Sequence, residues 1–213
     1  MLKQFILSIL LLGLAVACCN EEDPTEIITE TAIPNDISFL SYTGIHFADE
    51  LIGYISTCYN VNLNVAGILK TSNSGIKWQF YPVYVDTVPS SIIRSIYALS
   101  PDTVYATYAG GVSQGVCKSF DGGITWTNLG NLNTSAYGPV YFRNSQIGIV
   151  CSSYGILKTT DGGSTWVLRS NLTAGGDIAF TSDAVGYACI GSAGDWGSSG
   201  RVIKTTDGGD TWT

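Results

Sequence analysis

Short apolar runs separated by polar, glycine-rich turns cover the chain, and one such pattern occurs four times. Residues 155–166, Gly-Ile-Leu-Lys-Thr-Thr-Asp-Gly-Gly-Ser-Thr-Trp, give its clearest copy. The stretch Ile156–Thr159 alternates around a short β-favouring run, and Asp161 with two glycines suits a tight turn because glycine tolerates positive φ. Thr165 and Trp166 then begin a returning strand, where the indole can pack on an apolar surface. The pattern predicts a β-hairpin with tryptophan as its packing anchor.

Two further full copies occupy residues 115–126 and 201–212, and a divergent copy occupies residues 67–78. Their tryptophans are separated by 48, 40 and 46 residues. A repeat of this length is typical of propellers and other arrays. In the first copy Asn73 replaces the aspartate and Lys77 replaces the threonine, which predicts a weaker turn.

A second pattern precedes each hairpin. Residues 47–54, 142–149 and 180–187 share an aromatic residue, a polar turn and a glycine at one spacing, and residues 98–105 follow it loosely. Each copy predicts a strand, a turn and a strand, which with the tryptophan hairpin makes four strands in each unit. We therefore expect an all-β fold, a β-propeller of four-stranded antiparallel blades at about residues 37–85, 86–133, 134–172 and 173–213.

The number of blades leaves the closure of the ring open. Four hairpins predict about four blades, but the fourth blade has no room for a last strand after Trp212. Either Thr25–Ile33 completes that blade and closes the ring, or the sequence is an incomplete part of a larger propeller. We favour the second alternative, because terminal units that expose apolar faces are poorly soluble.

The hairpins resemble the Asp-box family, also called the bacterial neuraminidase repeat, whose pattern is Ser/Thr-x-Asp-x-Gly-x-Thr-Trp. The resemblance implies a structural role for the residues that match its aspartate, glycine and tryptophan. These residues are Asp121, Gly123, Trp126, Asp161, Gly163, Trp166, Asp207, Gly209 and Trp212.

The first 36 residues predict export. Residues 1–17 carry Lys3 and an apolar run too short to span a bilayer, as in a signal peptide. The run ends at Leu14–Cys18, which resembles a bacterial lipobox with Cys18 as the lipidated residue. If the lipobox is shifted by one position, Cys19 is the lipidated residue instead. An ordinary cleaved secretory signal is the alternative to a lipobox. Residues 18–36 predict an acidic, flexible tether, which resembles the surface-export signal of Bacteroidetes lipoproteins or is a plain spacer. We expect an outer-membrane or cell-surface lipoprotein, attached to the membrane through the lipid on Cys18.

The charge distribution excludes nucleic acids as partners. The formal net charge is −7, but from Leu51 onward nine acidic residues are balanced by nine basic ones. The predicted propeller is therefore near neutral and lacks the basic surface that nucleic-acid binding requires. No metal-ligand spacing, phosphate loop or nucleophile motif appears, so we expect no metal and no cofactor.

Six cysteines raise the question of disulfides. Cys117 falls where the other copies carry an apolar residue. Cys151 and Cys189 occupy equivalent positions of neighbouring units, which are usually too far apart for a disulfide. We expect free buried thiols, and Cys58 has no evident partner.

Because the strands of a blade run alternately up and down, alternate loops lie on the same face of the propeller. We expect ligands to bind on the face opposite the tryptophan hairpins. That face carries the loops between second and third strands and the links between blades, and exposed loops commonly bind ligands. Trp196 is the one tryptophan outside a hairpin and lies in a Gly/Ser-rich insertion. A role in covering the blade edge is the alternative for Trp196. The ligand-binding candidates are Trp196, Asp195, Tyr154, Tyr108, Tyr59 and Arg94.

An enzymatic role is the weaker alternative. Sialidases share the Asp-box repeat and need an arginine triad and a tyrosine with a glutamate partner, whereas here no glutamate follows Glu50 and only four arginines occur. Xyloglucan-cleaving propellers use two aspartates, for which Asp86, Asp177 and Asp195 are the candidates. His46 is expected to pack in a strand. We therefore assign no catalytic residue.

Residues 38–213 are similar to propellers of the photosystem II stability/assembly factor family. The resemblance implies a non-catalytic propeller that binds a membrane protein through an arginine patch, and this chain has no such patch. We predict a cell-envelope lipoprotein whose propeller is a scaffold for an envelope protein or a glycan. The alternatives are a sialidase-like or xyloglucanase-like glycoside hydrolase and a fragment of a larger propeller.

Overall fold

The computed structural model describes residues 41–58, 65–110, 113–129, 132, 138–172, 176–190 and 200–213. Over these ranges the chain forms strands, bridges and turns, without a helix. The described part accordingly contains no helix that could cross a bilayer. Four antiparallel sheets are arranged as a four-blade β-propeller, which confirms the predicted fold class.

Each blade pairs its strands in chain order. The first blade consists of β1 (Tyr42–Phe47), β2 (Gly53–Thr57), β3 (Gly67–Thr71) and β4 (Gln79–Pro82). A small hairpin links it to the second blade and consists of β5 (Tyr84–Val85) and β6 (Val88–Pro89). The second blade consists of β7 (Ile92–Ala98), β8 (Val104–Gly110), β9 (Ser113–Ser119) and β10 (Thr127–Asn128).

The third blade has the same order, and the fourth has three strands within the described residues. The third consists of β11 (Val140–Phe142), β12 (Gly148–Ser152), β13 (Gly155–Thr159) and β14 (Val167–Ser170). The fourth consists of β15 (Ile178–Phe180), β16 (Gly186–Ile190) and β17 (Arg201–Thr205). Thr213 exchanges two backbone hydrogen bonds with Lys204 beside β17. The stretch Thr25–Ile33 lies outside the described residues.

The turns between third and fourth strands are held by their own side chains, as the sequence predicts. Asp161 accepts a bond from the Thr165 hydroxyl at 2.6 Å and from the Thr165 amide at 2.8 Å. The Thr159 hydroxyl accepts from the Gly163 amide at 2.8 Å. Gly162 has a φ of 75°, in the left-handed region that favours glycine. The turns at Asp121 and Asp207 repeat this arrangement.

The apolar core lies between neighbouring blades. One cluster joins the first two blades and includes Tyr54, Ile68 and Trp126, a second joins the second and third blades, and a third joins the last two. Trp126 and Trp212, 4% and 9% exposed, each pack against the blade that precedes their own. The tryptophan of a hairpin therefore anchors its blade to the preceding one.

The aromatic residue before each polar turn packs over the glycine after it. The ring of Phe142 meets Trp166 edge to face, with ring centroids 6.1 Å apart. A Cβ atom at Gly148 would lie 2.5 Å from the Phe142 ring, so a side chain there would displace the ring. The same contacts recur at Phe47 and Phe180. They explain why the aromatic residue and the glycine keep one spacing in these blades.

The four described cysteines are free thiols, as expected. Cys117 and Cys151 are buried, and burial raises the pKa of both. Cys189 is exposed, so the expectation of a buried thiol is wrong there. The difference arises because the fourth blade covers Cys151. Cys189 lies on the same side of the fourth blade, and no sheet of the described residues covers that side. Cys18 and Cys19 lie outside the described residues.

Candidate binding cavity at the inner strands

The four inner strands, β1, β7, β11 and β15, line a cavity of about 750 Å³. Each is the first strand of its blade, so the cavity lies where the four blades converge. Ligand sites in proteins commonly have volumes of about 300–1,000 Å³. The cavity is therefore large enough to hold a small ligand or a segment of a larger partner.

Two β-bulges lie at equivalent positions of neighbouring inner strands. The pairing of β1 with β2 shifts between Tyr42 and Gly44, and that of β7 with β8 shifts between Ile93 and Ser95. The residues at these shifts are Thr43 and Arg94, and both line the cavity. Bulges redirect side chains and are frequent beside functional sites.

A row of aromatic rings crosses the four blades along the cavity wall. His46 lies 4.4 Å from Tyr97 between ring centroids, and Tyr97 lies 5.2 Å from Tyr141. Phe180 continues the row by stacking on Tyr141 at 4.6 Å. Burial raises the pKa values of Tyr97 and Tyr141, which keeps both hydroxyls protonated at neutral pH.

The imidazole of His46 is neutral at physiological pH. Its Nδ1 accepts a hydrogen bond from the Ala98 amide at 3.2 Å, which leaves the proton on Nε2. Burial lowers the pKa of His46, and the negative charge of Asp177 opposes that effect only in part. His46 therefore packs in its strand, as the sequence predicts, and also lines the cavity.

The cavity lining contains one carboxylate within the described residues, that of Asp177 on the approach to β15. It accepts a hydrogen bond from the Ile178 amide at 2.8 Å and is exposed. Asp86 lies in the β5–β6 turn, away from the lining, and accepts a bond from the Asn128 amide at 3.3 Å. Asp195 lies outside the described residues. No described aspartate pairs with Asp177 across the cavity.

The structure places the ligand-binding candidates in different environments. Arg94 lines the cavity, and Tyr154 is 67% exposed in the turn between β12 and β13. Tyr108 belongs to β8 instead of the loop where the sequence suggested it, and it is buried between the first two blades. Tyr59, Asp195 and Trp196 lie outside the described residues.

Sequence analysis does not single out Tyr97 and Tyr141 as cavity residues. Tyr97, Tyr141 and His46 are each the second-to-last residue of their inner strand. This shared position is the signal by which the sequence could have identified them. Which side of the strand faces the cavity depends on how the blades pack, and the alternation of residues does not specify it.

No family model matches the sequence, and no curated protein matches it. Among solved structures, the GH74 enzyme of Niastella koreensis aligns with a TM-score of 0.63 and 22% identity, over 81% of this chain and 29% of its own. The GH74 xyloglucanase from Xanthomonas campestris aligns with a TM-score of 0.61 and 16% identity, over 81% and 30%. YCF48 from Cyanidioschyzon merolae aligns with a TM-score of 0.55 and 17% identity, over 82% and 56%.

The chain thus spans less than a third of these GH74 enzymes and about half of that YCF48 chain. The similarity to YCF48, a photosystem II assembly factor, confirms the expected likeness to that family at the level of the fold. At these identities the alignments establish the propeller fold that the proteins share.

Proposed function

We propose that this chain is a non-catalytic binding scaffold of the cell envelope, and that the inner-strand cavity holds a segment of a partner protein. The observation that carries the proposal is the composition of the cavity wall. Over the residues that the structure describes, it combines one cation, Arg94, one carboxylate, Asp177, and a row of aromatic rings contributed by all four blades.

The single carboxylate argues against glycoside hydrolysis. Retaining and inverting glycosidases generally place two carboxyl groups about 5–9.5 Å apart on either side of the scissile bond. Here Asp177 has no second carboxylate opposite it among the described residues. The described part of the wall can therefore bind a partner, but it does not supply the two carboxyl groups between which the acid and base roles are divided.

The charges favour a polypeptide over a neutral glycan. Arg94 and Asp177 stand on different blades and carry opposite charges, so a ligand with both an acid and a base can complement them. The protonated hydroxyls of Tyr97 and Tyr141 can donate hydrogen bonds to backbone carbonyls. Polar groups of this kind fix the orientation of a bound segment, while the rings supply contact area.

The test is a binding experiment with a peptide library. The full chain would be immobilised and screened against a displayed library of random peptides, and the enriched sequences would be measured by calorimetry. We expect Arg94→Gln and Asp177→Asn each to weaken binding about tenfold or more, since a hydrogen bond to a charged group contributes about 1.5–3 kcal/mol. Ile124→Asp, a change at an exposed site outside the cavity, is the matched control.

Two outcomes would contradict the proposal. Enriched peptides that bind the cavity variants as well as the unmodified chain would mean that they bind elsewhere. Enrichment of ligands from a glycan array, with none from the peptide library, would make the partner a carbohydrate.

A glycoside hydrolase is the second candidate, and the similarity to the GH74 fold favours it. Its test is incubation with xyloglucan oligosaccharides and sialyllactose, followed by chromatography of the products. We expect no cleavage. Cleavage that Asp177→Asn abolishes would replace the binding proposal by the enzymatic one.

We also infer that the tryptophan hairpins are Asp boxes with a structural role. Both carboxylate oxygens of Asp161 accept bonds from within its own turn, which leaves them poorly suited to contact a substrate. The same holds for Asp121 and Asp207.

Anchoring at the envelope rests on the proposed lipidation of Cys18. Metabolic labelling with an alkyne fatty acid in a bacterial host tests it. We expect Cys18→Ser to abolish labelling and Cys19→Ser to retain it. Labelling that depends on Cys19 would shift the register by one residue, and its absence from the unmodified chain would overturn the anchor.

A further inference from the structure

Side chains of one inner strand hydrogen-bond to the backbone of the next inner strand along the cavity wall. Between the first two blades, the Thr43 hydroxyl donates to a backbone carbonyl of β7, and the Ala98 amide donates to His46 Nδ1 at 3.2 Å. Between the second and third blades, the Val140 amide donates to Ser95 Oγ at 3.3 Å. Two of these three bonds use hydroxyl groups, which do not titrate near neutral pH. His46 is the one of the three side chains whose charge changes in that range.

The bond from the Ala98 amide requires the neutral form of His46. An amide N–H can only donate, so it needs the lone pair of Nδ1. In the imidazolium form both ring nitrogens carry protons, and Nδ1–H would then face the N–H of Ala98. Protonation of His46 therefore breaks this bond between the first two inner strands.

The groups around His46 keep their charges in the pH range where the imidazole titrates. On the described strands packed around it, the charged or titratable groups are Tyr42, Tyr54, Arg94, Tyr97, Tyr141 and Asp177. Burial raises the pKa values of the four tyrosines, so all four stay neutral there. Arg94 supplies a constant positive charge, and Asp177 supplies the negative charge that acts on His46.

Burial and the charge of Asp177 have opposite effects on the pKa of His46. Burial lowers it and is the larger effect, so the folded value lies below the ordinary value of about 6.5. The unfolded chain consequently binds the proton more readily than the folded chain does. The stabilisation from neutral His46 is complete above the ordinary value and is lost as the pH falls through the folded value.

The other three blades have no imidazole at this position. The residues equivalent to His46 are Tyr97, Tyr141 and Ala179, and His46 is the single histidine of the chain. Protonation in mildly acidic solution therefore changes the cavity at one place on its described wall, next to the first blade.

We propose that His46 is a charge switch that sets which ligands the cavity accepts. In its neutral form it holds the Ala98 amide, and Arg94 and Asp177 balance each other on the described wall. In its protonated form it releases Ala98 and adds a second cation, so this wall becomes positive and favours an acidic segment of a partner. The choice of ligand rests on the proposed function, whereas the loss of the bond to Ala98 does not.

The first test needs no ligand. An NMR titration of the full chain from about pH 8 to pH 5 covers the ordinary range of histidine, and a single histidine gives one set of ring signals. We expect the neutral ring to carry its proton on Nε2 and to titrate with a midpoint below about 6.5. The Ala98 amide resonance should move with the same midpoint. An Ala98 resonance that does not follow the ring, or a neutral ring with its proton on Nδ1, would overturn the switch.

The second test repeats the peptide selection at neutral pH and at about half a pH unit below the midpoint found by NMR. We expect the peptides enriched in acid to contain more Asp and Glu. An acidic peptide should bind about fivefold more tightly there than at neutral pH, because a hydrogen bond from a charged donor is roughly twice as strong as one from a neutral donor.

Two variants remove the titrating group in different ways. His46→Gln keeps an acceptor for the Ala98 amide, and His46→Tyr copies the residue of the next two blades. The gain in acid should be absent from both, whatever their affinity at neutral pH. Ile124→Asp, at an exposed site outside the cavity, is the control and should keep the full gain.

The outcomes separate this inference from the proposed function. Peptides that bind equally well at both pH values, or a gain in acid that survives in His46→Gln, would overturn the switch and leave the binding scaffold intact. If no peptide binds at either pH, the proposed function fails together with the choice of ligand. The NMR titration then decides by itself whether protonation of His46 releases Ala98.

Discussion

At the scale of single residues, the aspartates of the hairpin turns show how local hydrogen bonds fix a charge state. The Thr165 hydroxyl, the Thr165 amide and the Thr159 hydroxyl lower the pKa of Asp161 to about 2. The ordinary value for an unfolded chain is about 3.9. Ionised Asp161 therefore stabilises the fold above about pH 4, and this contribution is lost as the pH falls through the folded value.

Removal of the Thr165 hydroxyl should make the protein more sensitive to acid. Thr165→Val deletes the strongest donor to Asp161 and so raises its pKa towards the unfolded value. We expect the midpoint of acid unfolding, followed by tryptophan fluorescence, to move to higher pH. Thr127→Val, at an exposed position in β10, is the control. An equal shift in both variants would mean that the hydroxyl of Thr165 has no special role.

The first hairpin carries a strained residue where the other three have glycine. Ser74 has a φ of 60°, and Gly122, Gly162 and Gly208 at the equivalent positions have values of 70–75°. Ser74→Gly relieves this strain but also deletes the exposed hydrogen bond that Ser74 Oγ donates to Glu50 O at 2.8 Å. We therefore expect a net rise in the free energy of unfolding of less than about 1 kcal/mol. Urea denaturation measures this change. The reverse change, Gly162→Ser, should destabilise the protein, and a gain there would contradict the argument.

At the scale of elements, a tryptophan hairpin stabilises the fold most where its tryptophan packs against the preceding blade. Trp126 is 4% exposed and packs on Ile68 of the first blade, and its Nε1 donates to Gly123 O at 3.0 Å. Trp78 belongs to the first blade and is only partly buried, over Leu69 and Phe80 of its own sheet. The same residue type in the same motif thus has two environments.

Truncation of the two tryptophans should separate these environments. We expect Trp126→Ala to lower the free energy of unfolding by about 3–5 kcal/mol, as for other buried aromatic side chains. Trp78→Ala should cost less than half as much, since less apolar surface leaves the core. Chemical denaturation monitored by far-UV circular dichroism compares them. Equal costs would show that contact with the preceding blade adds little.

At the scale of the whole molecule, polar contacts bind successive blades near their hairpin turns. Lys158 of the third blade lies 2.9 Å from Asp210 of the fourth, and Arg169 lies 3.3 Å from the same carboxylate. The Lys158 side chain is 8% exposed and that of Asp210 is 45% exposed. A half-buried pair of this kind is screened less by salt than a fully exposed one.

Loss of this contact between blades should be measurable and dependent on salt. Asp210→Ser, which copies Ser164 of the preceding hairpin, should destabilise the protein by about 1–2 kcal/mol at low ionic strength. High salt should reduce the difference from the unmodified chain. Asp183→Ser is the control, because Asp183 is exposed and has no ion pair within the described residues. No loss with Asp210→Ser would mean that apolar packing alone holds these blades.

The sequence by itself determined the repeating unit, because its signals are local. Asp161, Gly163 and Thr165 specify a turn through bonds within five residues of one another, and the spacing of Phe142 and Gly148 specifies the strand pair before it. Each signal is complete within one hairpin. The β-fold and the four-stranded units could therefore be predicted from the chain alone.

Tertiary structure alone decided which side of each strand meets another blade, the cavity or solvent. Cys151 and Cys189 hold the same position in their repeats, yet Cys151 is buried and Cys189 is exposed. The reason is that the fourth blade covers this side of the third blade, whereas no described sheet covers the same side of the fourth blade. In the same way, convergence of four inner strands from distant segments brings His46, Arg94, Tyr141 and Asp177 to one cavity. Burial depends on the neighbouring blade, and residue alternation within one strand carries no information about that neighbour.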